Sequence, residues 1–372
     1  MENIKFLFLS VLLLTFCLEA KCQTNLPKLQ NFNVGIIIPL SGDLAEYGSA
    51  IRNGFELARK DAPENFSNVN FVYEDSRYDG KTAVDALQKL KSSDSIDLYY
   101  LWGVSPTEAM LPIAVAQKLP VIAETTVKEA TVGKPFVIRA ARTGERIAKA
   151  LTAELENRKV KSVSLIVTQI PFYMDIIKHL ESSLKDKGIA VKKKAEVLPS
   201  EIDFKSFLLD RDLQGAQILG AFLLPAQFIA FYRQAEQLHL KIPTFSADII
   251  DSETLVKDCS DKIDGMFYTQ VGVIPEFRQN YKKSFGNDNQ IGSAAQAYDM
   301  GMLVSELFGK LERNLTNEEV IDRISKIAPH KGATGSFSYS DSSDGGKEIR
   351  MPVSMKVVRG KALEIIAEDT GY

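Results

Sequence analysis

The sequence predicts an α/β protein of two lobes with a crevice between them. Short apolar runs such as residues 34–38 alternate with stretches in which apolar residues recur at helical spacing. This alternation indicates mainly parallel sheets covered by helices on both faces. The alternation restarts after Gly144, and 372 residues are enough for about two domains. Open sheets of this kind bind ligands beyond the carboxyl ends of their strands, so the crevice is the predicted site.

Residues 1–22 have the pattern of a signal peptide. After one basic residue, Lys5, residues 6–18 are apolar except for Ser10 and Thr15. This run is too short to span about 30 Å of hydrocarbon, and residues 20–22 provide a small-x-small cleavage pattern. A buried N-terminal helix is the alternative. We therefore expect an exported protein, periplasmic or otherwise extracytoplasmic. A lipid anchor is poorly supported, because large residues precede both cysteines of this segment.

The composition excludes several functional classes. Lys and Arg total 45 against 48 Asp and Glu, so the basic surplus typical of nucleic-acid binding is absent. Only three His and three Cys occur, which disfavours a zinc site, a haem or a Cys/His catalytic pair. Two of the cysteines lie in the leader, so Cys259 has no partner for an internal disulfide and the fold must rest on its core. We expect no metal and no cofactor.

The first lobe is predicted to begin with four strands and the helices between them. Residues 34–38 form a continuous apolar run, as expected for a strand that is covered on both faces. The predicted strands are residues 34–38, 71–73, 98–101 and 121–123, and the helices lie around residues 50–58, 84–90 and 107–118.

The alternation of strands and helices restarts after Gly144 and continues through the rest of the chain. The second helix after Gly144 ends at Gly188, which suits the position after a helix C-terminus. A long helical region then begins near Pro275 and runs with breaks to residue 327. The predicted strands are residues 163–167, 191–198, 218–224, 244–246, 265–268, 336–339 and 353–359, and the other helices are residues 145–157, 173–187 and 226–238.

A search for catalytic motifs finds none. The chain has no P-loop, no G-x-G-x-x-G after a strand, no H-E-x-x-H and no G-x-S-x-G. The three histidines fall on predicted surface positions, and the acidic neighbours Asp258 and Asp261 disfavour a thiolate at Cys259. We therefore predict that the protein is not an enzyme.

Two loops at the carboxyl edge of the first sheet are candidates for binding an anion. Ser105-Pro106-Thr107-Glu108 is a capping-box sequence, and a helix N-terminus at that edge favours a carboxylate. A helix that is merely well capped is the alternative interpretation. Thr125 and Thr126 follow the next strand and complete the predicted cradle, whereas Glu124 opposes it if its side chain faces inward.

Two positions of the second lobe suit the rest of a small ligand. Tyr173 lies at the start of a helix after a strand and suits an aromatic wall. Asp248 follows the short strand at residues 244–246 and suits an acceptor for an ammonium group. Each of these signals is weak alone, because Tyr and Asp are common at helix starts.

Nearly the whole chain after Asn33 resembles the periplasmic leucine/isoleucine/valine-binding proteins, the substrate-binding components of ABC transporters. The order and spacing of several short motifs carry the resemblance. They are VGIIIPLSG at 34–42, YG at 47–48, NG at 53–54, YED at 73–75, AYD at 297–299, TGSF at 334–337 and VVRGK at 357–361.

The resemblance implies the type I periplasmic-binding-protein fold, two Rossmann-like lobes joined by three crossovers that close on a ligand by a hinge. Crossovers are expected near residues 142–144, 268–272 and 337–345. The lobes would then comprise residues 31–143 plus 272–337 and residues 144–271 plus 338–372.

The resemblance also implies roles for individual residues. Tyr47 falls on an aromatic that contacts ligand, and Ser105 on or beside the serine that binds a carboxylate. Thr125 or Thr126 falls near the threonine that holds carboxylate and amine. Tyr173, or Phe172 beside it, matches the second-lobe aromatic. Asp248 falls near the acid that takes the ammonium.

The function that follows is capture of a small ligand, an amino acid or a related carboxylate or amide, by a monomer that delivers it to a membrane permease. The alternative is the same scaffold serving as a protein-interaction or sensory module in the cell envelope, with a degenerate crevice. Two departures motivate this alternative: Glu124, and the aliphatic Leu223-Leu224-Pro225 where relatives place an aromatic.

Overall fold

The computed structural model describes residues 30–93, 95–247, 259, 262–341, 345–360 and 362–367. The predicted signal peptide and Asp248 lie outside these residues. The described chain forms two α/β lobes, each built on one sheet, so the predicted fold class is confirmed.

The first lobe contains a sheet of eight strands. Its order is β11-β12-β13-β5-β4-β3-β1-β2, and β1 to β5 with β13 pair in parallel, whereas β11, β12 and β13 pair antiparallel with one another. The strands are β1 (Phe32–Ile38), β2 (Val69–Asp75), β3 (Leu98–Trp102), β4 (Val121–Glu124), β5 (Val137–Arg139), β11 (His330–Gly332), β12 (Gly335–Asp341) and β13 (Lys347–Arg350).

Helices cover both faces of this sheet. Because side chains alternate along a strand, Ile36 packs against one helical layer and Ile37 against the other. Helices α1, α10 and α11 lie on the Ile36 face, and α2 and α3 lie on the Ile37 face. The first-lobe helices are α1 (Ala45–Asp61), α2 (Gly80–Ser93), α3 (Val104–Ala116), α9 (Pro275–Phe285), α10 (Ile291–Phe308) and α11 (Asn317–Ser325), with 3₁₀ turns at Pro63–Phe66 and Lys128–Ala130.

The second lobe contains a sheet of seven strands in the order β15-β14-β10-β9-β8-β6-β7. Strands β7, β6, β8, β9 and β10 are parallel, and β14 and β15 extend the sheet antiparallel beyond β10. The strands are β6 (Ser162–Thr168), β7 (Ala190–Val197), β8 (Ile218–Phe222), β9 (Thr244–Ala247), β10 (Phe267–Gln270), β14 (Ser354–Arg359) and β15 (Ala362–Ala367). The helices are α4 (Gly144–Asn157), α5 (Pro171–Asp186), α6 (Lys205–Leu208), α7 (Arg211–Gln214) and α8 (Pro225–Gln237).

The third connection between the lobes lies later in the chain than expected. Residues 338–350 were assigned to the second lobe, but β12 and β13 pair in the first sheet, with Tyr339 opposite Ile349. Strand β13 also pairs with β5, and Glu348 forms an ion pair with Arg139 there. The polar turn taken for a crossover therefore joins two strands of one sheet. The chain enters the second sheet only at Ser354, where β14 begins.

Helices α1 and α10 pack closely against each other on one face of the first sheet. Gly54 makes this approach possible, because a Cβ at this position would lie 2.2 Å from the Ala294 carbonyl oxygen. The pair matters for the site, since Tyr47 near the start of α1 and Gln296 in α10 both reach the cavity described below.

Candidate ligand-binding site between the lobes

A cavity of about 120 Å³ lies between the two lobes. Both lobes and two of the connections contribute to its walls, and most of the lining is apolar. The lining residues are Leu44, Tyr47, Tyr78, Trp102, Gly103, Val104, Glu124, Thr125, Thr126, Gln290, Ser293 and Gln296 of the first lobe, Ala141, Arg142 and Gln270 beside the connections, and Ile170, Phe172, Tyr173, Leu224 and Pro225 of the second lobe.

Three aromatic rings form the first-lobe wall. The ring centroid of Trp102 lies 5.5 Å from that of Tyr47 and 5.6 Å from that of Tyr78. Gly103 permits this packing, because its φ is +91° and a Cβ there would lie 2.4 Å from the Tyr78 ring. Burial raises the pKa of Tyr78 to about 12, so its hydroxyl stays neutral at physiological pH. These three rings therefore present mainly apolar surface to the cavity.

The predicted capping box at Ser105 is wrong. Helix α3 begins at Val104, two residues before the predicted start at Pro106, and the residue before it is Gly103, which has no side chain to cap. The Val104 N–H lies near the Tyr78 hydroxyl, and it opposes the rise that burial causes in the pKa of Tyr78. Ser105 is consequently inside the helix, and it is not among the residues that line the cavity. Sequence reasoning missed this because the left-handed glycine ends the strand and starts the helix without a polar cap.

Thr125 and Thr126 both line the cavity and are buried. The Thr125 hydroxyl accepts a hydrogen bond from the Val127 N–H at 3.4 Å. The Thr126 hydroxyl lies near Asp175 of helix α5 in the second lobe. Neither the Thr126 Oγ1 nor the Asp175 Oδ2 has a hydrogen-bond partner among the described residues. Burial raises the pKa of Asp175 above its usual value, and the nearby His179 and the Thr126 hydroxyl oppose that rise.

Tyr173 lines the cavity but is mainly a core residue. It is 1% exposed, and its ring packs against Phe172 and Phe222 with centroids 5.2 and 5.9 Å apart. Its hydroxyl donates to the Leu223 carbonyl oxygen at 3.2 Å. Phe172 lies beside it and is less buried. The second-lobe wall therefore presents ring surface, while the Tyr173 hydroxyl holds the end of strand β8.

The charged residues of the cavity wall are Glu124 and Arg142, among the lining residues given above. Glu124 is the last residue of β4, and it accepts a hydrogen bond from the hydroxyl of the fully buried Tyr100. Arg142 is buried at the first connection between the lobes. Glu124 therefore faces inward, the outcome that opposes a purely anionic ligand.

Sequence reasoning missed several polar lining residues, which come from elements distant in the chain. Gln296 donates to the Ala140 carbonyl oxygen, and the Gln270 side chain accepts from the Val271 N–H at 2.8 Å. Gln290 precedes helix α10 in a left-handed conformation. The only sequence signal was the position of Gln296 directly before the AYD motif. None of the described residues forms a group of three or more His, Cys, Asp or Glu side chains suited to a metal ion.

Two α/β lobes with a partly apolar cavity between them define a protein of the two-lobed binding class. A sequence model of the family described as periplasmic binding protein matches residues 31–370, and the chain therefore belongs to this family. The family consists of solute-binding proteins and implies an extracytoplasmic location. Among the described residues, no helix is long and apolar enough to cross a membrane.

Solved structures share the fold at low sequence identity. The leucine-binding protein LivK of Thermotoga maritima is 18% identical with a TM-score of 0.79, over 91% of this chain and 99% of that one. The branched-chain amino acid-binding protein LivJ of Streptococcus pneumoniae, in complex with isoleucine, is 17% identical with a TM-score of 0.77, over 91% and 99%. A solute-binding protein of Rhodopseudomonas palustris, in complex with 3,4-dihydroxybenzoic acid, is 18% identical with a TM-score of 0.80, over 92% and 99%. A search of curated proteins finds no match.

Proposed function

We propose that this chain is the solute-binding protein of an ABC transporter. It captures a small ligand, an amino acid or a related carboxylate or amide, by hinge closure and delivers it unchanged to a membrane permease. The cavity lined by both lobes and by their connections is the observation that carries this proposal. A ligand that touches both lobes stabilises the closed arrangement by its difference in affinity for the closed and open states.

The cavity walls indicate a ligand with a compact apolar or aromatic body. Ring surfaces of Tyr47 and Trp102 on one wall face a second wall that includes Phe172 and Leu224. Arg142 provides a buried cation suited to a ligand carboxylate. The structural neighbours with isoleucine and dihydroxybenzoic acid carry ligands of this general description.

The proposed wall keeps four of the residues predicted from the sequence: Tyr47, Thr125, Thr126 and Tyr173. Ser105 leaves the proposed site because it does not line the cavity. Asp248 remains a prediction, since it lies outside the described residues.

A thermal-shift screen of the purified protein tests the proposal. The panel contains branched and aromatic amino acids, benzoates and small primary amides. A ligand at 100 times its Kd stabilises the folded state by about 2.7 kcal/mol, which gives a clear rise in Tm. Absence of any shift across the panel, together with no small molecule in mass spectra of the natively purified protein, would refute the transport function. A specific envelope protein partner found in that situation would favour the interaction-module alternative.

The proposal includes a monomer as the working form. Size-exclusion chromatography with light scattering should give one chain per particle with and without ligand, and a dimer would contradict this part alone.

A further inference from the structure

Glu124 lies where a ligand between the lobes would meet it. It ends strand β4 directly beside Trp102, its register partner in the parallel strand β3. Register partners in adjacent parallel strands point to the same face of a sheet, and Tyr100, two residues before Trp102, shares that face. The carboxylate of Glu124 and the Trp102 ring are therefore neighbours at the carboxyl edge of the first sheet, and both line the cavity.

A hydrogen bond from the core of the first lobe fixes the position of the Glu124 carboxylate. Tyr100 is 1% exposed and belongs to the core of the first lobe, where its ring packs edge-on against Phe55 at 5.1 Å. Its hydroxyl donates to Glu124. This hydrogen bond orients the carboxylate at the cavity wall before a ligand binds. A preorganised acceptor of this kind loses little conformational entropy when a ligand binds.

Two aromatic rings line the cavity together with the Glu124 carboxylate. Tyr47 and Trp102 have ring centroids 5.5 Å apart, and both rings line the same cavity. The faces of such rings attract cations, most strongly for Trp, and the attraction grows when the site is shielded from water. A cavity wall that carries a carboxylate and two aromatic rings is a chemical environment that recognises a positively charged nitrogen.

Arg142 adds a positive charge to the cavity wall. It is buried at the first connection, where it lines the cavity together with Ala141. The cavity wall therefore carries one carboxylate and one guanidinium, and this pair of opposite charges suits a zwitterionic ligand better than one that bears only negative charge.

We propose that Glu124, with the rings of Tyr47 and Trp102, forms a subsite for the positively charged nitrogen of the ligand, an ammonium or an amidinium group. Glu124 is then the residue that selects cationic or zwitterionic solutes over plain carboxylates. This inference rests on the proposed solute-binding function. It assigns the positive group to the first lobe, whereas the resemblance assigned it to Asp248 of the second.

Two matched pairs of probes test the subsite by isothermal titration calorimetry. Phenylalanine and 3-phenylpropionate differ only in the ammonium group, and both keep a carboxylate. Benzamidine and benzamide have the same planar shape and differ in charge. We expect the cationic member of at least one pair to bind about tenfold more tightly or better, as a hydrogen bond to a charged group implies.

The variant Glu124→Gln removes the charge but keeps an oxygen that accepts from Tyr100. It should reduce the preference for the cationic probe to less than about threefold. Glu129→Gln is the matched control, because Glu129 is an exposed first-lobe carboxylate that does not line the cavity. It should leave the preference unchanged. Should Glu124→Gln fail to fold, Trp102→Leu removes the larger ring and should also reduce the preference.

The subsite is overturned if the uncharged or anionic member binds as well in the wild type, if Glu124→Gln leaves the preference intact, or if neither pair binds. In each of these cases a Tm shift with another solute of the thermal-shift panel would leave the solute-binding function standing. Failure of both experiments would remove the function and the subsite together.

Discussion

Asp299 makes the stability of the protein depend on pH in a direction opposite to that of an acid whose pKa is lowered by folding. It lies on helix α10, is 1% exposed, and accepts hydrogen bonds from the N–H groups of Ala333 and Thr334 at 2.6 and 2.9 Å and from the Thr334 hydroxyl. Burial nevertheless raises its pKa from 3.8 to about 6, because desolvation of the charged form outweighs these hydrogen bonds. The bonds hold the segment that joins β11 to β12 against the helix.

The sign and size of the effect follow from the two pKa values. Between pH 3.8 and 6 the folded protein binds more protons at Asp299 than the unfolded chain, so its contribution is fully present below pH 3.8 and is lost as the pH rises through 6. Each pKa unit corresponds to about 1.4 kcal/mol. The contribution to the free energy of unfolding should therefore be about 1.3 kcal/mol larger at pH 5 than at pH 7.

Asp299→Asn provides the reference, because an amide does not titrate. Urea denaturation followed by circular dichroism at pH 5, 6 and 7 gives the free energy of unfolding of both proteins. The wild-type advantage over Asp299→Asn should grow by about 1.3 kcal/mol from pH 7 to pH 5. Asp79→Asn is the control, because hydrogen bonds from Thr82 lower the pKa of Asp79 and it stays ionised throughout this range. A wild-type advantage that is constant, or that grows with pH, would refute the reasoning.

Three further predictions concern the site and its support. Ser105→Ala should leave ligand affinity unchanged within about twofold in calorimetry, since Ser105 does not line the cavity; a loss of about 1–3 kcal/mol would return it to the site. Gly54→Ala should lower the free energy of unfolding in urea titrations by about 1–3 kcal/mol and weaken ligand binding in calorimetry, because the added methyl group separates α1 from α10. Gly215→Ala is the control and should change neither quantity, because its Cβ would have contacts no closer than 3.5 Å. Tyr173→Phe should cost about 1 kcal/mol of stability, through the lost hydrogen bond to Leu223, and leave affinity nearly unchanged; a large loss of affinity at normal stability would contradict its role as a core residue.

Sequence patterns located most of the regular elements but not those that depend on partners. The runs at 34–38 and 163–167 are found within strands β1 and β6, because continuous apolar sequence marks a strand that is covered on both faces. The short strands β5 and β13 were not predicted. Each has only three or four residues, and its identity as a strand comes from pairing with a neighbour distant in the chain.

In the candidate site, too, some residues were predicted correctly from the sequence and others depended on contacts between distant elements. Tyr47, Thr125 and Thr126 were placed at the crevice from the sequence, since they follow or face the carboxyl ends of predicted strands, and they line the cavity. Ser105 does not line the cavity, because its helix begins at Val104, two residues before the predicted start at Pro106. That start depends on the positive φ of Gly103 and on the packing of Gly103 against the Tyr78 ring, a contact between separate elements.

The sequence by itself determined the class of fold, the doubling of the α/β pattern and the absence of known catalytic motifs, because these follow from local periodicity and short-range residue order. Only the tertiary structure decided that Glu124 faces inward, that Arg142 is part of the cavity wall and that the β12–β13 hairpin belongs to the first lobe. Each of these depends on which strands and helices pack together across long sequence separations. The burial and hydrogen bonds that fix these features form only when the strands and helices of a lobe have packed together. The hydrogen bond from the Tyr100 hydroxyl to Glu124 is an example.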